Sequence, residues 1–176
     1  MRIAGRRLLL ILMVCGLAAG AALLERRRPH VVHVDLRTPA AAAMLDGGWH
    51  GAERAWELSG RWTSGAGAIV VPRAGRHVSA VRAAVCAHPA RGADQLRIAA
   101  GPFDTTVRVL QPGCQIVHVP VHEALPDRPI TVGFSSMTTT AAGDPRPLGV
   151  FVAWVEVEAD GPAPIARSLA ASVLIV

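Results

Sequence analysis

Short runs of alternating apolar and polar residues recur along most of this chain, and Gly, Pro or Asp punctuates the gaps between them. The runs lie at 31–36, 55–58, 68–71, 78–86, 96–99, 105–110, 115–119, 130–134 and 150–157. Side chains alternate between the two faces of a strand, so each run predicts a strand with one buried face. Strands about 8–12 residues apart with turns between them are typical of a sandwich or a barrel, and we favour the sandwich. The sequence therefore predicts an all-β fold, with one short Ala-rich helix at 39–45 and further helix only near the chain ends.

The segment Leu8–Leu24 carries no charge and follows three arginines, which favours an N-terminus that stays in the cytoplasm. As a helix it spans about 25 Å, slightly less than a hydrocarbon core of about 30 Å. Two interpretations stay open. A cleaved signal peptide would use the small residues at 19–21. An uncleaved transmembrane anchor would place Arg26–Arg28 at the outer headgroups, and we favour it. Either way, residues 29–176 are expected outside the cytoplasmic membrane, or secreted if the signal is cleaved.

The positive charge of the chain belongs to the flanks of this apolar segment. The formal net charge is +5, and residues 1–28 hold six arginines against one acid. The remaining body is therefore neutral. A nucleic-acid-binding domain needs a basic patch on its folded surface. We therefore exclude nucleic acid as a partner.

Cys86 and Cys114 are the two cysteines of the exported body. In an oxidising compartment an even pair predicts a disulfide, and the alternative is two small buried apolar side chains. The expected organisation is a signal or anchor at 1–28, a linker and first strand at 29–44, the β-sandwich at 45–160, and an apolar tail at 161–176.

Three tryptophans fall within the fourteen residues 49–62. The alternation around Trp56 predicts that it faces the core, and Trp62 at a strand start is expected to be buried too. Trp49 lies in a Gly-rich turn next to His50. Because an aromatic ring matches the C–H face of a sugar, Trp49 is the candidate for the aromatic contact of a carbohydrate site, and the alternative is that it too is buried in the core.

No catalytic or cofactor motif stands out. The sequence has no nucleophile elbow, phosphate loop, zinc-protease helix or dinucleotide fingerprint. His118 and His122 share one face of a strand, but two ligands do not close a metal site. We therefore expect no cofactor and no metal, and we regard an enzyme as the weaker interpretation.

The most patterned stretch is Asp-x-Arg-x-Leu-Gly at 144–149, directly before the last strand. Asp144 is expected to cap or bridge its own loop, and Arg146 is expected to fold back against Glu53 or the Arg61-Trp62 turn. A charge-assisted pair between an arginine and a carboxylate fixes geometry well. This interpretation makes the motif a structural latch. A ligand-binding role for the same residues is the alternative.

The order of these motifs resembles that of the jelly-roll, galactose-binding-like domains of bacterial envelope proteins, which often accompany membrane glycosyltransferases. The motifs are Gly48-Trp49, Glu53, Arg61-Trp62-Thr63 and the final Asp144-to-Gly149 segment, and the similarity covers about residues 45–158. The resemblance implies a jelly-roll-type antiparallel β-sandwich and a role in the cell envelope, and it supplies no catalytic residues.

Two functions from different classes follow from these observations. The first is a membrane-tethered module that binds carbohydrate or envelope polysaccharide. Its candidate ligand-binding residues are Trp49, His50, Glu53, Arg61, Asp144 and Arg146. The second is a non-catalytic scaffold that docks onto a membrane protein partner, such as a glycosyltransferase.

Overall fold

The computed structural model describes residues 13–21, 30–72, 77–88, 94–101, 104–121, 129–141 and 143–160. Two helices are described, α1 (residues 13–21) and α2 (Pro39–Ala42). The strands are β1 (His30–Asp35), β2 (Leu45–Asp46), β3 (Trp49–Ala55), β4 (Leu58–Thr63), β5 (Ala66–Val71), β6 (His77–Ala87), β7 (Asp94–Ala100), β8 (Asp104–Leu110), β9 (Gly113–Pro120), β10 (Ile130–Ser136), β11 (Thr139–Ala141), β12 (Asp144–Leu148) and β13 (Phe151–Asp160).

Two antiparallel sheets form the body of the protein. The six-stranded sheet has the order β3-β4-β13-β6-β9, and β1 pairs with β13 beyond the point where β4 does. The five-stranded sheet has the order β2-β5-β10-β7-β8, and β11 and β12 form a separate hairpin. The prediction of an antiparallel all-β sandwich is confirmed. Because β1 belongs to the larger sheet, the sandwich includes the first strand that precedes residue 45.

The main core lies between the two sheets and follows the two-residue period of their strands. Inward residues of β6 and β13 are valine or alanine, and the five-stranded sheet adds larger side chains. The largest buried side chains of the five-stranded sheet are Phe134, Ile69, Leu96, Ile98, Leu110 and Ile130. Short helix α2 places Ala41 in this core, and the Thr38 hydroxyl accepts a hydrogen bond from its backbone N–H as an N-cap.

A second hydrophobic cluster lies on the outer face of the six-stranded sheet. Phe151 is fully buried there, with its ring centroid 5.3 Å from that of Trp62 and 6.1 Å from that of Trp56. Both ring pairs meet edge to face, the geometry that aromatic quadrupoles favour. Leu148 of β12 is buried in the same cluster. The hairpin β11–β12 therefore covers part of this outer face.

The expected strand at 55–58 was wrong. Trp56 and Glu57 instead form the two-residue turn between β3 and β4, with φ values of 49° and 68°. Positive φ at both central residues is the geometry of the type I′ hairpin turn, whose twist matches that of the flanking strands. The turn directs Trp56 onto the outer cluster and away from the core between the sheets.

Cys86 and Cys114 face each other on the paired strands β6 and β9, and they are joined in the predicted disulfide. The sequence separation of 28 residues encloses β7 and β8. Those two strands belong to the five-stranded sheet, whereas β6 and β9 belong to the six-stranded one. The disulfide therefore closes the segment that carries one edge of the smaller sheet.

Helix α1 covers part of the apolar segment Leu8–Leu24, and the rest of that segment lies outside the described residues. Within the described ranges, no helix has both the length and the apolar composition needed to cross a membrane. The tail at 161–176 and the side chain of His122 also lie outside the described residues.

Candidate functional site

The Asp-x-Arg-x-Leu motif forms β12, and its alternation sets which side chains face the body. Leu148 is buried, Asp144 and Arg146 are partly buried, and Pro145 and Pro147 are exposed. Among the described residues β12 pairs with β11 alone. Proline lacks a backbone N–H, so it is tolerated on such an edge strand. The motif thus builds an edge hairpin that presents one acid, one base and one apolar side chain to the sheet beneath.

Arg146 joins this hairpin to β3 through two carboxylates. Its Nη1 and Nη2 lie 3.1 and 3.2 Å from the two carboxylate oxygens of Glu53. Its Nε and Nη2 lie 2.9 and 2.6 Å from the oxygens of Asp144. Asp144 also accepts the backbone N–H of Arg146 at 3.0 Å. The expected contact between Arg146 and Glu53 is therefore present, and we call these three residues the latch.

The latch shifts the protonation of its own members. Side-chain and backbone hydrogen bonds from Arg146 lower the pKa of Asp144 from 3.8 to about 2. The hydrogen bonds that Arg146 donates to Asp144 and Glu53 raise its own pKa. The charged forms are thus the stable ones in the folded protein. The guanidinium already binds both carboxylates, so their role is to hold β12 against β3.

His50 and Arg61 extend the latch along the same edge. Nε2 of His50 lies 2.9 Å from the carbonyl oxygen of Pro147, which only accepts, so this nitrogen donates. Arg61 donates from Nε to the carbonyl of Leu36 and from Nη1 to the carbonyl of His50. The structure therefore places five of the six candidate residues in two hydrogen-bonded groups, which adjoin where Arg146 precedes Pro147 in β12.

The side chain of Trp49 belongs to neither hydrogen-bonded group. Its indole N–H donates to the carbonyl of Ala68 at 2.9 Å, and its ring meets Phe134 edge to face at 6.1 Å. A Cβ on Gly67 would come within 2.7 Å of the indole, so glycine makes room for the ring. Trp49 therefore packs beneath β5 on the core side, and the exposed edge expected for it is not where its ring lies.

A shallow cleft of about 430 Å³ lies on the outer face of the five-stranded sheet. Its floor is the cross-strand row Ala68, Gly133 and Ala99, in which Gly133 is the register partner of both alanines. Because these side chains are so small, the sheet surface has a depression along that row. Asp46, the partner of Ala68 on β2, and Arg97 on β7 stand at its two ends. Sequence reasoning missed this site.

The two charged residues of the cleft differ from the other charged side chains of the described ranges. Asp46 and Arg97 make no ion pair and no hydrogen bond with any described residue, whereas every other charged side chain placed by the structure is engaged. The engaged groups are Asp35 with Arg37, Arg54 with Glu57, Arg82 with Glu156 and Glu158, the latch, and Arg61 and Arg108 with backbone carbonyls. The cleft is thus where charge is available to a ligand.

Replacing Arg146 with alanine should lower the melting temperature. The change removes the guanidinium and leaves Asp144 and Glu53 as two neighbouring carboxylates with no cation between them, which loosens β12 from β3. Arg54→Ala is the matched control, because its pair with Glu57 is largely solvent-exposed and such pairs contribute little. Equal melting temperatures of Arg146→Ala and the wild type would rule out the latch.

The latch should also make stability depend on pH in an acid window. The folded chain binds the Asp144 proton more weakly than the unfolded chain, so this carboxylate stabilises the fold above pH 4. That contribution is lost as the pH falls from about 4 to about 2. In thermal melts over this window, the wild type should approach the Arg146→Ala variant. A constant difference between the two would contradict the assignment.

Neither a protein-family model nor a curated protein matches the sequence. Among solved structures, an exo-β-1,3-galactanase from Phanerochaete chrysosporium with galactose matches 73% of this chain, at 9% identity and a TM-score of 0.46. A family two carbohydrate esterase from Cellvibrio japonicus matches 78% of this chain, at 12% identity and a TM-score of 0.39. The chain spans 29% and 37% of those two structures. Both neighbours act on carbohydrates, and similarity at this level assigns no family or activity to the chain.

Proposed function

We propose that this protein is a carbohydrate-binding module of the cell envelope, without catalytic activity of its own. We further propose that Leu8–Leu24 tethers it to the outer side of the cytoplasmic membrane. The observation that carries the binding role is the cleft on the five-stranded sheet, where Asp46 and Arg97 are the unengaged ones among the charged side chains that the structure describes.

The chemistry of the cleft suits a sugar chain. Its volume of about 430 Å³ falls within the usual range of small-molecule sites. The alanine and glycine floor offers an apolar surface to the C–H face of a sugar ring, and Asp46, Arg97 and Ser135 offer hydrogen bonds to its hydroxyls. Asp46 and Ala99 stand at the two ends of a register row that is three strand spacings, or about 14 Å, long, and Arg97 flanks Ala99 on β7. The cleft therefore has the length for more than one sugar unit.

The residues first considered as ligand contacts have a supporting role in this proposal. The latch holds β12 over the outer cluster of the six-stranded sheet, and His50 and Arg61 fix the same edge. Trp49 contacts Gly67 from the core side, and Gly67 lines the cleft. Trp49 thus supports the cleft floor from beneath, as a positioning residue for the ligand.

Filling the cleft should abolish carbohydrate binding while leaving the fold intact. A Cβ on Gly133 would meet only Ala99 Cβ, at an ordinary 3.8 Å, so the backbone leaves room for a side chain there and Gly133→Val adds bulk to the floor. Gly51→Val on β3 is the matched control, since nothing lies within 4 Å of that position. The measurement is glycan-array binding of the full chain in detergent.

We expect specific binding by the wild type and the Gly51→Val control, and at least a tenfold loss in Gly133→Val. Binding that survives Gly133→Val would place the site elsewhere. A well-folded chain that binds no glycan on the array would contradict the carbohydrate proposal altogether.

The alternative function is a scaffold that docks onto a membrane protein. One observation favours it: Val107, Val109 and Ile116 on the edge strands β8 and β9 are 52%, 57% and 62% exposed. Exposed apolar side chains of this kind mark partner surfaces when they are contiguous. Absence of glycan binding, together with loss of a membrane complex in Val107→Ser and Ile116→Ser variants, would favour the scaffold.

A further inference from the structure

We infer that the cleft selects an acidic heteropolysaccharide, one in which acidic sugar units are separated by neutral ones. The acidic unit lies at Arg97 and the neutral unit lies at Asp46. This inference rests on the proposed carbohydrate-binding function and names the class of sugar that the same cleft takes.

Arg97 has no ion-pair partner among the described residues, which favours an anionic group on the ligand. Elsewhere in the described ranges, arginine side chains are engaged by carboxylates or backbone carbonyls, whereas Arg97 has neither. A guanidinium presents a planar fork of N–H donors that binds a carboxylate through two parallel hydrogen bonds. A neutral sugar offers hydroxyls but no counter-charge. The carboxylate of an acidic sugar therefore complements Arg97 more fully than any group of a neutral sugar does.

Asp46 restricts where the ligand charge can lie. Its carboxylate has no cation partner among the described residues, and it stands at the opposite end of the alanine and glycine row. A carboxylate placed beside it would be repelled, whereas the hydroxyls of a neutral sugar donate hydrogen bonds to it. A polymer that carries a charge on every unit would place one of its carboxylates at Asp46. The cleft therefore disfavours such homopolymers.

The floor between the two charges fixes the orientation of the chain. Ala68, Gly133 and Ala99 run from β5 to β7 across the strands, so an extended ligand on this row lies perpendicular to them. Ala99 is two residues from Arg97 on the same face of β7, and Ala68 is the register partner of Asp46. A single sugar chain on the floor thus reaches both charged ends at once.

The test uses matched polysaccharides with the full chain in detergent, measured by isothermal titration calorimetry. Hyaluronan and gellan carry glucuronate separated by neutral sugars, and chemical reduction of their carboxyl groups gives neutral chains of otherwise similar structure. Polygalacturonate carries an acid on every unit. The protein variants are Arg97→Gln and Asp46→Asn, with Arg54→Gln as an exposed arginine control on the other sheet.

We expect hyaluronan or gellan to bind at least tenfold more tightly than its reduced form, because charge-assisted hydrogen bonds are roughly twice as strong as neutral ones. Arg97→Gln should remove that preference and Arg54→Gln should keep it. Added NaCl should weaken binding of the acidic chain. Polygalacturonate should bind more weakly than hyaluronan or gellan, and Asp46→Asn should strengthen its binding several-fold.

The outcomes separate this inference from the proposed function. Equal binding of acidic and reduced chains, both lost in Gly133→Val, would overturn the acidic specificity and leave the carbohydrate role standing. Polygalacturonate binding as tightly as the heteropolysaccharides would overturn the part assigned to Asp46. If no chain in the panel and no glycan on the array binds, the proposed function fails together with the inference.

Discussion

Phe151→Ala should lower the free energy of unfolding by about 3–5 kcal/mol, the usual cost of truncating a buried phenylalanine. Phe151 has no exposed surface, although it lies on the outer face of the six-stranded sheet. Trp62 and Trp56 pack against it edge to face, and Leu148 of β12 is buried in the same cluster. Alanine would leave a cavity that these rings cannot fill without moving the hairpin. Chemical denaturation measures the loss.

Val107→Ala is the control for this prediction, because Val107 is 52% exposed and surface truncations usually change stability by less than about 0.5 kcal/mol. A loss below about 1 kcal/mol in Phe151→Ala, similar to that of the control, would show that the outer cluster is not packed. In that case the latch could not stabilise the protein by holding β12 over a packed cluster.

Removal of the disulfide should lower the free energy of unfolding by about 3–4 kcal/mol. The bond between Cys86 and Cys114 closes a loop of 28 residues, so it restricts the unfolded chain. The double variant Cys86→Ala, Cys114→Ala tests this by denaturation. Because β7 lies within the loop and carries Arg97 and Ala99 of the cleft, the double variant should also bind glycan more weakly.

Cys15→Ala is the matched control, since this cysteine is free and exposed on helix α1. Its unfolding curve should coincide with that of the wild type. A double variant that unfolds at the same denaturant concentration as the wild type would contradict a stabilising role for the bond.

Much of the strand pattern could be predicted because it depends on local alternation. Val117 and Val119 are buried with His118 exposed between them, as the period of two requires. The contact of Arg146 with Glu53 could also be predicted from the sequence, since a guanidinium in an otherwise acidic and apolar motif favours a carboxylate partner. The pairing of Cys86 with Cys114 could be predicted because they are the two cysteines of residues 29–176.

The turn and the orientation of Trp49 could not be predicted from alternation alone. Two non-glycine residues with positive φ, Trp56 and Glu57, end β3 where the pattern continued smoothly. A register shift in β3 between Trp49 and Ala52 then changes which face each residue takes. Trp49 enters the core side because Gly67 on another strand leaves space for it, and local sequence does not show that partner.

The cleft was hidden for a different physical reason. Its floor consists of residues with little or no side chain, so Ala68, Ala99 and Gly133 carry no chemical signal of their own. Their alignment depends on the register of β5 and β7 against β10, which sequence spacing does not fix. Asp46 and Arg97 are 51 positions apart in the chain and become neighbours of one surface only through the sheet order.

Mapping the bound glycan by NMR tests whether the cleft on the five-stranded sheet is the binding site. Amide chemical shifts of the full chain in detergent would be followed while a glycan that binds on the array is added. We expect the largest changes to cluster at Ala68, Ala99 and Gly133 on the five-stranded sheet. Largest changes at Glu53 and Arg146, with the cleft amides unmoved, would contradict it and return the binding site to the edge of β3 and β12.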